Sequence, residues 1–588
     1  MTTDQAMQLA LQHSRAGRTD AALALLLQVV QINPEHAEAH RSLGTIFLSK
    51  GQLDDAIAAY RKAIQLNPES AEAHNDIAFA FNRKGNLDEA VTACLRTAEL
   101  RPDSPQAHNN LGNALRDSQR LDEAIVAYNR AVELKPDYAE AYSNMAVALT
   151  DSRRLDEGMA ACLRAIALNP AYPEAYLNLG NVFNEMARFD EAITAYARAL
   201  QLKPNYAQAY NSMGNALRRK GLLDEAIDAY NRAIQLKPDH AAAHSNLGIA
   251  LRDKGQFDGA MLAYSKAIEL DPSNIKAHFN LAILLLLLGN FARGWTEYEW
   301  RVKRKDEAPS RTFLRPRWDG GQLEGKRILL HNEQGFGDTL QFVRYVPLVA
   351  SRGGRVILTC QSSLINILSE VPNVEKVVTA TDPMPDFDVH CPLLSLPKAF
   401  ATDLKSVPAS IPYLTADPAL IEVWATRLEA KRGRLKIGIA WTGSPTHVND
   451  HNRSISLSQF SALANAENVI CFSLQKGEAA EQISRLGTSV IDLTSEIKDF
   501  ADTAALIVNL DLIISVDTAV AHLAGALGKS VWVLLPFIPD WRWLLDREDS
   551  PWYPTMRLFR QRRAGDWEEP IQRIVKELTE MTSLLGNA

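Results

Sequence analysis

The chain has 588 residues, of which 46% are hydrophobic and 23% are charged, and its formal net charge is −7. That length exceeds what one hydrophobic core supports, so several domain-sized units are expected. The mildly acidic balance argues against a dedicated nucleic-acid binder, because such proteins carry an excess of basic residues. The longest apolar run, Leu281–Leu288, is far short of the roughly 20 residues that cross a bilayer, so no membrane span is expected.

The cysteines and the first residues bear on cellular location. Five cysteines are scattered along the chain without a CxxC spacing, which argues against a disulfide framework or a zinc site. The N-terminus has no basic segment followed by an apolar stretch, so a secretory signal is not expected. Both features predict a cytoplasmic protein.

A period of 34 residues organises the first half of the chain. Ten residues after each repeated proline stands Gly or Ala, and 26 residues after it stands Tyr or Cys. This period is typical of tetratricopeptide repeats, in which each repeat forms a helix–turn–helix. The pattern predicts nine helical pairs that stack into an all-α superhelix over residues 1–305. The prolines that define the period are residues 34, 68, 102, 136, 170, 204, 238 and 272.

Polar residues recur eight positions after the repeat prolines. An amide side chain offers a donor and an acceptor, so a column of asparagines can pair with the backbone of an extended peptide. The column resembles the asparagine ladder of O-GlcNAc transferase repeats, and on that interpretation its asparagines bind a protein acceptor. The alternative is that these residues are only solvated. The asparagines of this column are Asn110, Asn144, Asn178, Asn246 and Asn280.

The pattern changes after residue 305. Residues 306–325 are rich in Pro, Gly and Arg and predict a linker. Short β-branched runs then alternate with helical patterns, which predicts parallel α/β packing. The proline-containing stretch 401–418 divides this region into lobes at 326–417 and 418–588, with a cleft at the carboxyl ends of the strands. The predicted strands are Arg327–His331, Arg355–Thr359, Val374–Thr379, Lys436–Trp441, Val469–Leu474, Leu512–Ser515 and Val531–Leu535.

Three polar segments follow predicted strands. The first motif, residues 331–339, contains Gly335 and Gly337, which we expect to allow a tight turn from strand to helix. Leu340 replaces the third glycine of a dinucleotide fingerprint, which argues against NAD. A turn motif consists of Thr442 and Gly443, with Arg453 downstream.

The second motif, residues 515–522, contains Asp517, Thr518, Ala519 and His522 where a strand runs into a helix. The free N–H groups at a helix start suit a diphosphate. We expect Asp517 to be the N-cap of this helix.

The motifs G-x-G-D-T-L and D-T-x-x-x-H resemble glycosyltransferase family 9, the bacterial ADP-heptose:lipopolysaccharide heptosyltransferases, over about residues 326–588. The resemblance implies a two-lobed GT-B fold with two Rossmann-like halves and metal-independent, inverting transfer from a nucleotide-sugar, with no other cofactor. It implies Asp338 as the catalytic base, and we take Glu333 as the alternative base. It also implies donor binding by Asp517, Thr518 and His522 and by the turn motif, with Arg453 in the place of a phosphate-binding lysine.

The first lobe is shorter than in ordinary heptosyltransferases, and those enzymes lack repeats. The layout therefore resembles bacterial repeat-containing protein glycosyltransferases. The leading hypothesis is transfer of a sugar to a hydroxyl of a protein held in the repeat groove, such as flagellin or another surface protein. One alternative is a glycan- or lipid-directed heptosyltransferase with docking repeats, and another is a non-catalytic repeat scaffold.

Two further features are ambiguous in the sequence. Asp386-Phe387-Asp388 has the DxD form of metal-using glycosyltransferases, but we expect it to be structural because it belongs to another fold type. The aromatic segment 541–543, with Arg542 between two tryptophans, and the later Trp552-Tyr553 predict either stacking on a base or sugar, or packing in the core.

Overall fold

The computed structural model describes residues 2–304, 313–429, 434–445, 449–464, 466, 468–486 and 489–585. The chain divides into two compact units, Met1–Ala250 and Leu251–Ala588. Of the predicted linker, residues 306–312 lie outside the described residues. In the rest of it, the Trp318 backbone N–H donates to the His390 carbonyl at 2.8 Å, so this part packs along a strand of the α/β region.

Helices occupy residues 3–298 with the predicted period. The first helix of each repeat begins three residues after the proline, and the second begins sixteen residues later. Their bounds are α1 Thr3–Arg15, α2 Thr19–Ile32, α3 Ala37–Ser49, α4 Leu53–Leu66, α5 Ala71–Lys84, α6 Leu87–Leu100, α7 Pro105–Asp117, α8 Leu121–Leu134, α9 Ala139–Asp151, α10 Leu155–Leu168, α11 Pro173–Glu185, α12 Phe189–Leu202, α13 Ala207–Arg219, α14 Leu223–Leu236, α15 Ala241–Asp253, α16 Phe257–Leu270, α17 Ile275–Leu287 and α18 Phe291–Tyr298.

Close packing inside a repeat depends on a small residue facing a large one. A Cβ added to Gly112 would lie 2.6 Å from the Tyr128 ring, so only glycine fits beneath that tyrosine. The same holds for Gly44 with Tyr60, Gly180 with Tyr196 and Gly214 with Tyr230. Where the second helix carries Cys94 or Cys162 instead of tyrosine, the first carries Ala78 or Ala146. The methyl group of alanine on the first helix thus fills part of the volume that is left when cysteine replaces tyrosine on the second helix, as close packing requires.

Two all-parallel sheets follow the repeats. The four-stranded sheet has the order β3-β2-β1-β4, and the six-stranded sheet has the order β10-β9-β8-β5-β6-β7. The repeat superhelix is therefore followed by an α/β region, as the sequence predicts. The strands are β1 Arg327–His331, β2 Arg355–Thr359, β3 Val374–Val378, β4 Val389–Pro392, β5 Leu435–Ala440, β6 Val469–Ser473, β7 Ile491–Asp492, β8 Leu512–Val516, β9 Val531–Leu535 and β10 Met556–Arg560.

The seven predicted strands are present with bounds within one residue at each end. The sequence missed β4, β7 and β10, and each of these lies at the edge of a sheet. Edge strands are short and carry polar residues, so their hydrophobic pattern is weak. The helices of this region are α19 Phe336–Phe342, α20 Val346–Ser351, α21 Ile365–Leu368, α22 Leu396–Ala399, α23 Pro418–Leu428, α24 Asp450–Arg453, α25 Leu457–Ala464, α26 Gln482–Leu486, α27 Phe500–Val508, α28 Ala519–Ala526 and α29 Glu568–Leu585.

The last repeat shares a core with the sheets, although the sequence places a domain boundary at residue 305. The Trp295 indole N–H, on α18, donates to the Thr402 carbonyl at 2.9 Å. Its ring meets the Trp541 ring edge-on, with centroids 5.1 Å apart. The compact unit that contains the sheets therefore begins at Leu251. The 34-residue period predicts the last repeat, but it does not predict that the apolar face of this repeat is buried against the α/β region.

Candidate functional site

The first motif forms the start of α19. The Gly335 backbone N–H donates to Asp338 Oδ2 at 3.0 Å, which caps the helix. Gly335 has an ordinary φ of −68°, so this turn does not need the conformational freedom of glycine that the sequence analysis assigned to it. Gly337 is needed for another reason, because a Cβ there would lie 2.8 Å from His522 Cδ2. The glycine thus lets the first motif touch the second motif.

The second motif forms the start of α28. Its N-cap is Thr518, not Asp517 as expected, and the helix begins at Ala519. The Thr518 hydroxyl is 3.0 Å from the Ser515 hydroxyl. No side chain caps the first turn of this helix. Asp517 thus stands one position before the cap, and its Oδ1 lies 3.8 Å from His522 Nε2.

Arg542, from the second lobe, contacts the first motif. Its guanidinium forms ion pairs with Asp338 of the first motif and, at 2.8 Å, with Asp540. Its Nε donates to Gln341 Oε1 at 2.5 Å. Burial alone lowers the pKa of an arginine, but the two carboxylates outweigh burial here and raise the pKa of Arg542. The candidate base of one lobe is therefore paired with a buried cation of the other.

His522 is held as a neutral imidazole. Burial, and then the charges of the nearby arginines, lower the pKa of His522 well below 6.5. Its Nε2 lies 3.8 Å from Asp517 Oδ1, and its Nδ1 lies 2.9 Å from the Tyr553 hydroxyl. A proton on Nε2 faces the carboxylate favourably, so Nδ1 accepts from Tyr553. The ring stacks on Trp543 with centroids 5.5 Å apart.

A buried arginine continues this network across the lobes. Arg344 follows α19 and donates to the Trp552 carbonyl at 2.5 Å and to the Tyr413 hydroxyl at 2.9 Å. The Tyr413 hydroxyl donates in turn to the Leu340 carbonyl at 2.9 Å and lies 3.4 Å from the Tyr553 hydroxyl. The Tyr413 hydroxyl gives its one proton to Leu340 and the Tyr553 hydroxyl gives its one proton to His522, so the first lobe reaches the partner of His522 by a polar contact of 3.4 Å.

Asp517 has a perturbed acidity. Burial is the main cause and Asp540 adds to it, and together they raise the pKa of Asp517 to about 6 in spite of the opposing charge of Arg453. A carboxyl group perturbed by both desolvation and a second carboxylate is typical of functional sites. The raised pKa therefore supports Asp517 as a residue of the candidate site.

The turn motif after β5 is tightly packed. The Gly443 N–H donates to the Ser454 hydroxyl and the Thr442 N–H donates to Gln475 Oε1, both at 2.9 Å. These two amides are therefore occupied. A Cβ on Gly443 would lie 2.6 Å from Arg453 Nη2, so the glycine gives the arginine room. Arg453 is mostly buried, pairs with Asp450 at 3.3 Å, and acts electrostatically on Asp517.

Glu333 and the buried aromatic residues have structural partners. Arg301, from the short helix after α18, pairs with Glu333 at 2.8 Å while almost fully buried. Glu333 thus anchors the first motif to the end of the last repeat. Trp541, Trp543, Trp552 and Tyr553 are at most 1% exposed, so they pack in the core and do not offer a surface for stacking on a ligand. The carboxylate of Asp388, in the DxD-like segment, accepts from the Arg327 backbone N–H, which supports the expected structural role of that segment.

The predicted acceptor asparagines lie on the first helices of the repeats. Asn110, Asn144, Asn178 and Asn280 are half-buried and Asn246 is buried. Asn110 Nδ2 donates to Asn75 Oδ1 at 2.8 Å, and Asn246 Nδ2 donates to Asn211 Oδ1 at 3.0 Å. Each bond joins neighbouring repeats, so these residues are more than solvated surface polar groups.

Several features are absent from the described part of the chain. No group of three or more His, Cys, Asp or Glu side chains there is arranged to hold a metal ion. Among those same residues, no helix combines the length and the apolar character required to cross a bilayer. The five cysteines are buried and form no disulfide with one another.

Comparison with known proteins confirms the repeats. Models described as TPR repeat or tetratricopeptide repeat match residues 14–59, 44–85, 112–152, 139–172, 177–241, 212–275 and 263–295. Repeats of this kind form surfaces for protein or peptide partners. The first half of this chain is therefore a tetratricopeptide array of the protein-interaction type.

One relative and two solved structures are similar to parts of the chain. Protein FlbA of Caulobacter vibrioides is 26% identical over 324 residues, which cover 50% of this chain and 54% of FlbA, so the match spans about half the length of that relative. The Cut9–Hcn1 hetero-tetramer structure of the APC/C is 19% identical, with a TM-score of 0.36, over 45% of this chain and 52% of that one. The MamA protein structure is 32% identical, with a TM-score of 0.25, over 30% of this chain and 95% of that one.

Proposed function

We propose that this protein is a glycosyltransferase with a GT-B-like, family 9-type α/β region that modifies a hydroxyl of a protein bound by its repeats. One observation carries the proposal: the first motif, which contains Asp338, contacts the second motif at His522. Gly337 touches His522, and Arg542 pairs with Asp338, although about 200 residues separate that arginine and aspartate in the chain. Ligands of parallel α/β sheets bind at this strand edge.

Asp338 acts as the base in this proposal. Arg542 and the Gly335 N–H hold its two carboxylate oxygens in place, and in this proposal the acceptor hydroxyl donates to that carboxylate. The hydroxyl oxygen attacks the anomeric carbon and its proton passes to Asp338. The bond between that carbon and the donor phosphate oxygen breaks, and its electron pair leaves with the nucleotide.

The leaving phosphate gains negative charge, which the protein must stabilise. The uncapped first turn of α28, at Ala519, and the guanidinium of Arg453 supply positive potential near Asp517. The amides of Thr442 and Gly443 are occupied, so this pair positions Arg453 rather than binding phosphate itself.

The repeats supply the acceptor in this proposal. A protein segment that bears serine or threonine would lie along the asparagine column and present a hydroxyl to Asp338. Flagellin or another surface protein is the acceptor class to test first. No metal or cofactor besides the nucleotide-sugar takes part.

Asp338→Asn and Asp386→Asn provide a matched test. The full chain is incubated with a panel of nucleotide-sugars and an acceptor lysate, and release of free nucleotide and transfer of label to protein are measured. Asp338→Asn should abolish transfer, whereas Asp386→Asn should not, because Asp386 is exposed and its ion pair among the described residues is with exposed Arg315. Equal transfer by both variants would remove Asp338 from its role.

The same experiment separates the alternatives. If the wild-type chain consumes no nucleotide-sugar of the panel and none raises its melting temperature, the transferase proposal is wrong and the non-catalytic scaffold is favoured. If label appears in glycan or lipid but not in protein, the acceptor assignment is wrong and the docking-repeat alternative is favoured.

A further inference from the structure

The segment 540–547 carries two residues that contact the candidate site. Arg542 pairs with Asp338, and the Trp543 ring stacks on the ring of His522. Both side chains are buried, so their positions depend on the course of the backbone that bears them. Whatever fixes the backbone of this segment therefore also fixes the partners of Asp338 and His522.

The backbone of this segment is strained directly after Trp543. Leu544 has a φ of 52° and a ψ of −165°, and Asp546 has a φ of 50°. Residues with a side chain seldom adopt such positive φ values, and a conformation of this kind persists only where the surrounding structure imposes it. Strain of this type is concentrated at functional sites. Groups outside the segment must therefore hold it in place.

The side chain of Arg560 supplies such a hold. Arg560 is the last residue of β10, and its Nε donates to the Arg547 carbonyl at 2.8 Å. Its Nη1 donates to the Leu544 carbonyl at 2.9 Å, and its Nη2 donates to the Trp543 carbonyl. A guanidinium is planar and directs its donors as a rigid fork, so one arginine can bind carbonyls at both ends of a turn. Three carbonyls of the strained segment thus converge on one cation.

The acidity of Arg560 agrees with this use of its donors. Burial lowers the pKa of Arg560 to about 10, against the opposing charge of Asp546 and with the help of the Arg547 cation. Carboxylate partners have the opposite effect at Arg542, whose pKa they raise. The guanidinium of Arg560 is therefore still charged at neutral pH, and its three hydrogen bonds go to the main chain of the segment.

We propose that Arg560 is a positioning residue for sugar transfer, because it holds the segment 540–547 in the conformation that brings Arg542 to Asp338 and Trp543 to His522. It acts on the reaction through these two side chains. For its effect on transfer, the inference rests on the proposed function. Displacement of a catalytic group by about 1 Å can lower a rate about 100-fold, so loss of the hold should be visible in the rate.

Arg560→Met tests the hold by removing all three donors while it keeps a long side chain. The rate of transfer from the nucleotide-sugar that the wild-type chain consumes should fall about tenfold or more. Arg560→Lys keeps a cation that can reach some of the carbonyls, so its rate should lie between the two. The matched control is Arg562→Met, two residues further along, whose exposed side chain pairs with Glu569 and which should keep the wild-type rate.

A rescue separates the conformation of the segment from a general loss of packing. Asp546 is exposed, and glycine adopts a positive φ without strain. Asp546→Gly added to Arg560→Met should therefore raise the rate about threefold or more above that of the single variant. If the rate does not recover, the strained conformation is not what Arg560 supplies, and the inference is wrong.

Fluorine NMR of protein labelled with 5-fluorotryptophan follows the segment without an assay of transfer. The Trp543 signal, assigned with Trp543→Phe, should shift or broaden in Arg560→Met but not in Arg562→Met. An unchanged Trp543 signal, or a changed signal at the wild-type rate of transfer, would overturn the inference. If Arg560→Met does not fold, the same two measurements on Arg560→Lys decide. If the wild-type chain transfers no sugar, the proposed function fails, and the Trp543 signal alone decides whether Arg560 holds the segment.

Discussion

The repeat unit and the α/β unit are stabilised by different kinds of contact. In the repeats, one glycine–tyrosine pair recurs at each of four positions, and the loss of one leaves the others in place. In the α/β unit, single buried cations such as Arg344 and Arg542 join segments that are distant in the chain. We therefore expect a substitution in the repeats to destabilise the structure locally, whereas a substitution of one buried arginine should destabilise the whole α/β unit.

Arg344→Met should have the largest effect. It leaves the buried carbonyls of Gln341 and Trp552 and the Tyr413 hydroxyl without their donor. An unsatisfied buried polar group costs about 1–3 kcal/mol, so the free energy of unfolding should fall by about 4 kcal/mol or more. All ten tryptophans lie between residues 295 and 567, so tryptophan fluorescence during urea denaturation reports this unit alone.

Arg83→Met is the matched change in the repeats. Arg83 also donates to a carbonyl, that of Leu48, but it is exposed. Water can replace that bond, so the unfolding transition of the repeat helices, followed by circular dichroism, should not move. A similar loss in both variants would contradict the proposed difference between the units.

Asp517→Asn should stabilise the α/β unit at neutral pH. The pKa of Asp517 is raised to about 6 from 3.8, so between these values the folded chain holds a proton that the unfolded chain has released. Stability is therefore lost as pH rises through this window, and the loss is complete above about pH 6. A shift of two pKa units corresponds to up to about 3 kcal/mol, which asparagine should recover at pH 7.5.

The gain should shrink to a small part of its value near pH 4, where Asp517 is protonated in the folded chain and, with a pKa of 3.8, roughly half protonated in the unfolded chain. The measurement is the fluorescence melting temperature of the variant and the wild type at pH 4 and pH 7.5. A gain that does not depend on pH would show that the buried charge is not its cause. His522, whose lowered pKa makes the protein less stable as pH falls below about 6.5, is present in both proteins and provides a common background.

Gly112→Ala should destabilise the repeats by about 1–3 kcal/mol, because the new methyl group collides with Tyr128. Adding Tyr128→Cys should restore much of the loss, since Ala146 with Cys162 is the same pair in the next repeat. Helical circular dichroism measures both effects. If the double variant is no more stable than the single one, the two positions do not compensate one another.

Glu333→Gln should have the smallest effect. Arg301 loses one carboxylate but keeps Glu299 and the Ser395 hydroxyl, so the cost should be about 1 kcal/mol. Transferase activity should persist if Asp338 is the base. Loss of activity at unchanged melting temperature would instead favour Glu333 as the base.

Periodic contacts could be predicted from the sequence, and single contacts could not. The proline period predicted the helices of the repeats, and runs of apolar residues predicted seven of the ten strands listed above. The edge strands β4, β7 and β10 lack a strong apolar pattern and were missed. The two motifs were found because each follows a strand, but their meeting at Gly337 and His522 depends on how the two sheets pack.

Arg542 shows why part of the site could not be predicted. In the sequence it stands between two tryptophans, a segment that predicts either stacking on a base or sugar or packing in the core. In the structure both tryptophans are buried and the guanidinium pairs with Asp338, 204 residues away. No short sequence pattern predicts an ion pair between two residues that are so far apart in the chain. The buried Glu333–Arg301 pair was missed for the same reason.

The facing glycine and tyrosine of a repeat belong to the same stretch of 34 residues, as do alanine and cysteine where they replace them. A gene segment that encodes one repeat therefore encodes both residues of the contacting pair. Duplication or loss of such a segment adds or removes a helix pair without creating a mismatch inside it. The array can thus change in length in steps of one repeat, and the reach of its binding surface can change with it while the α/β unit stays the same.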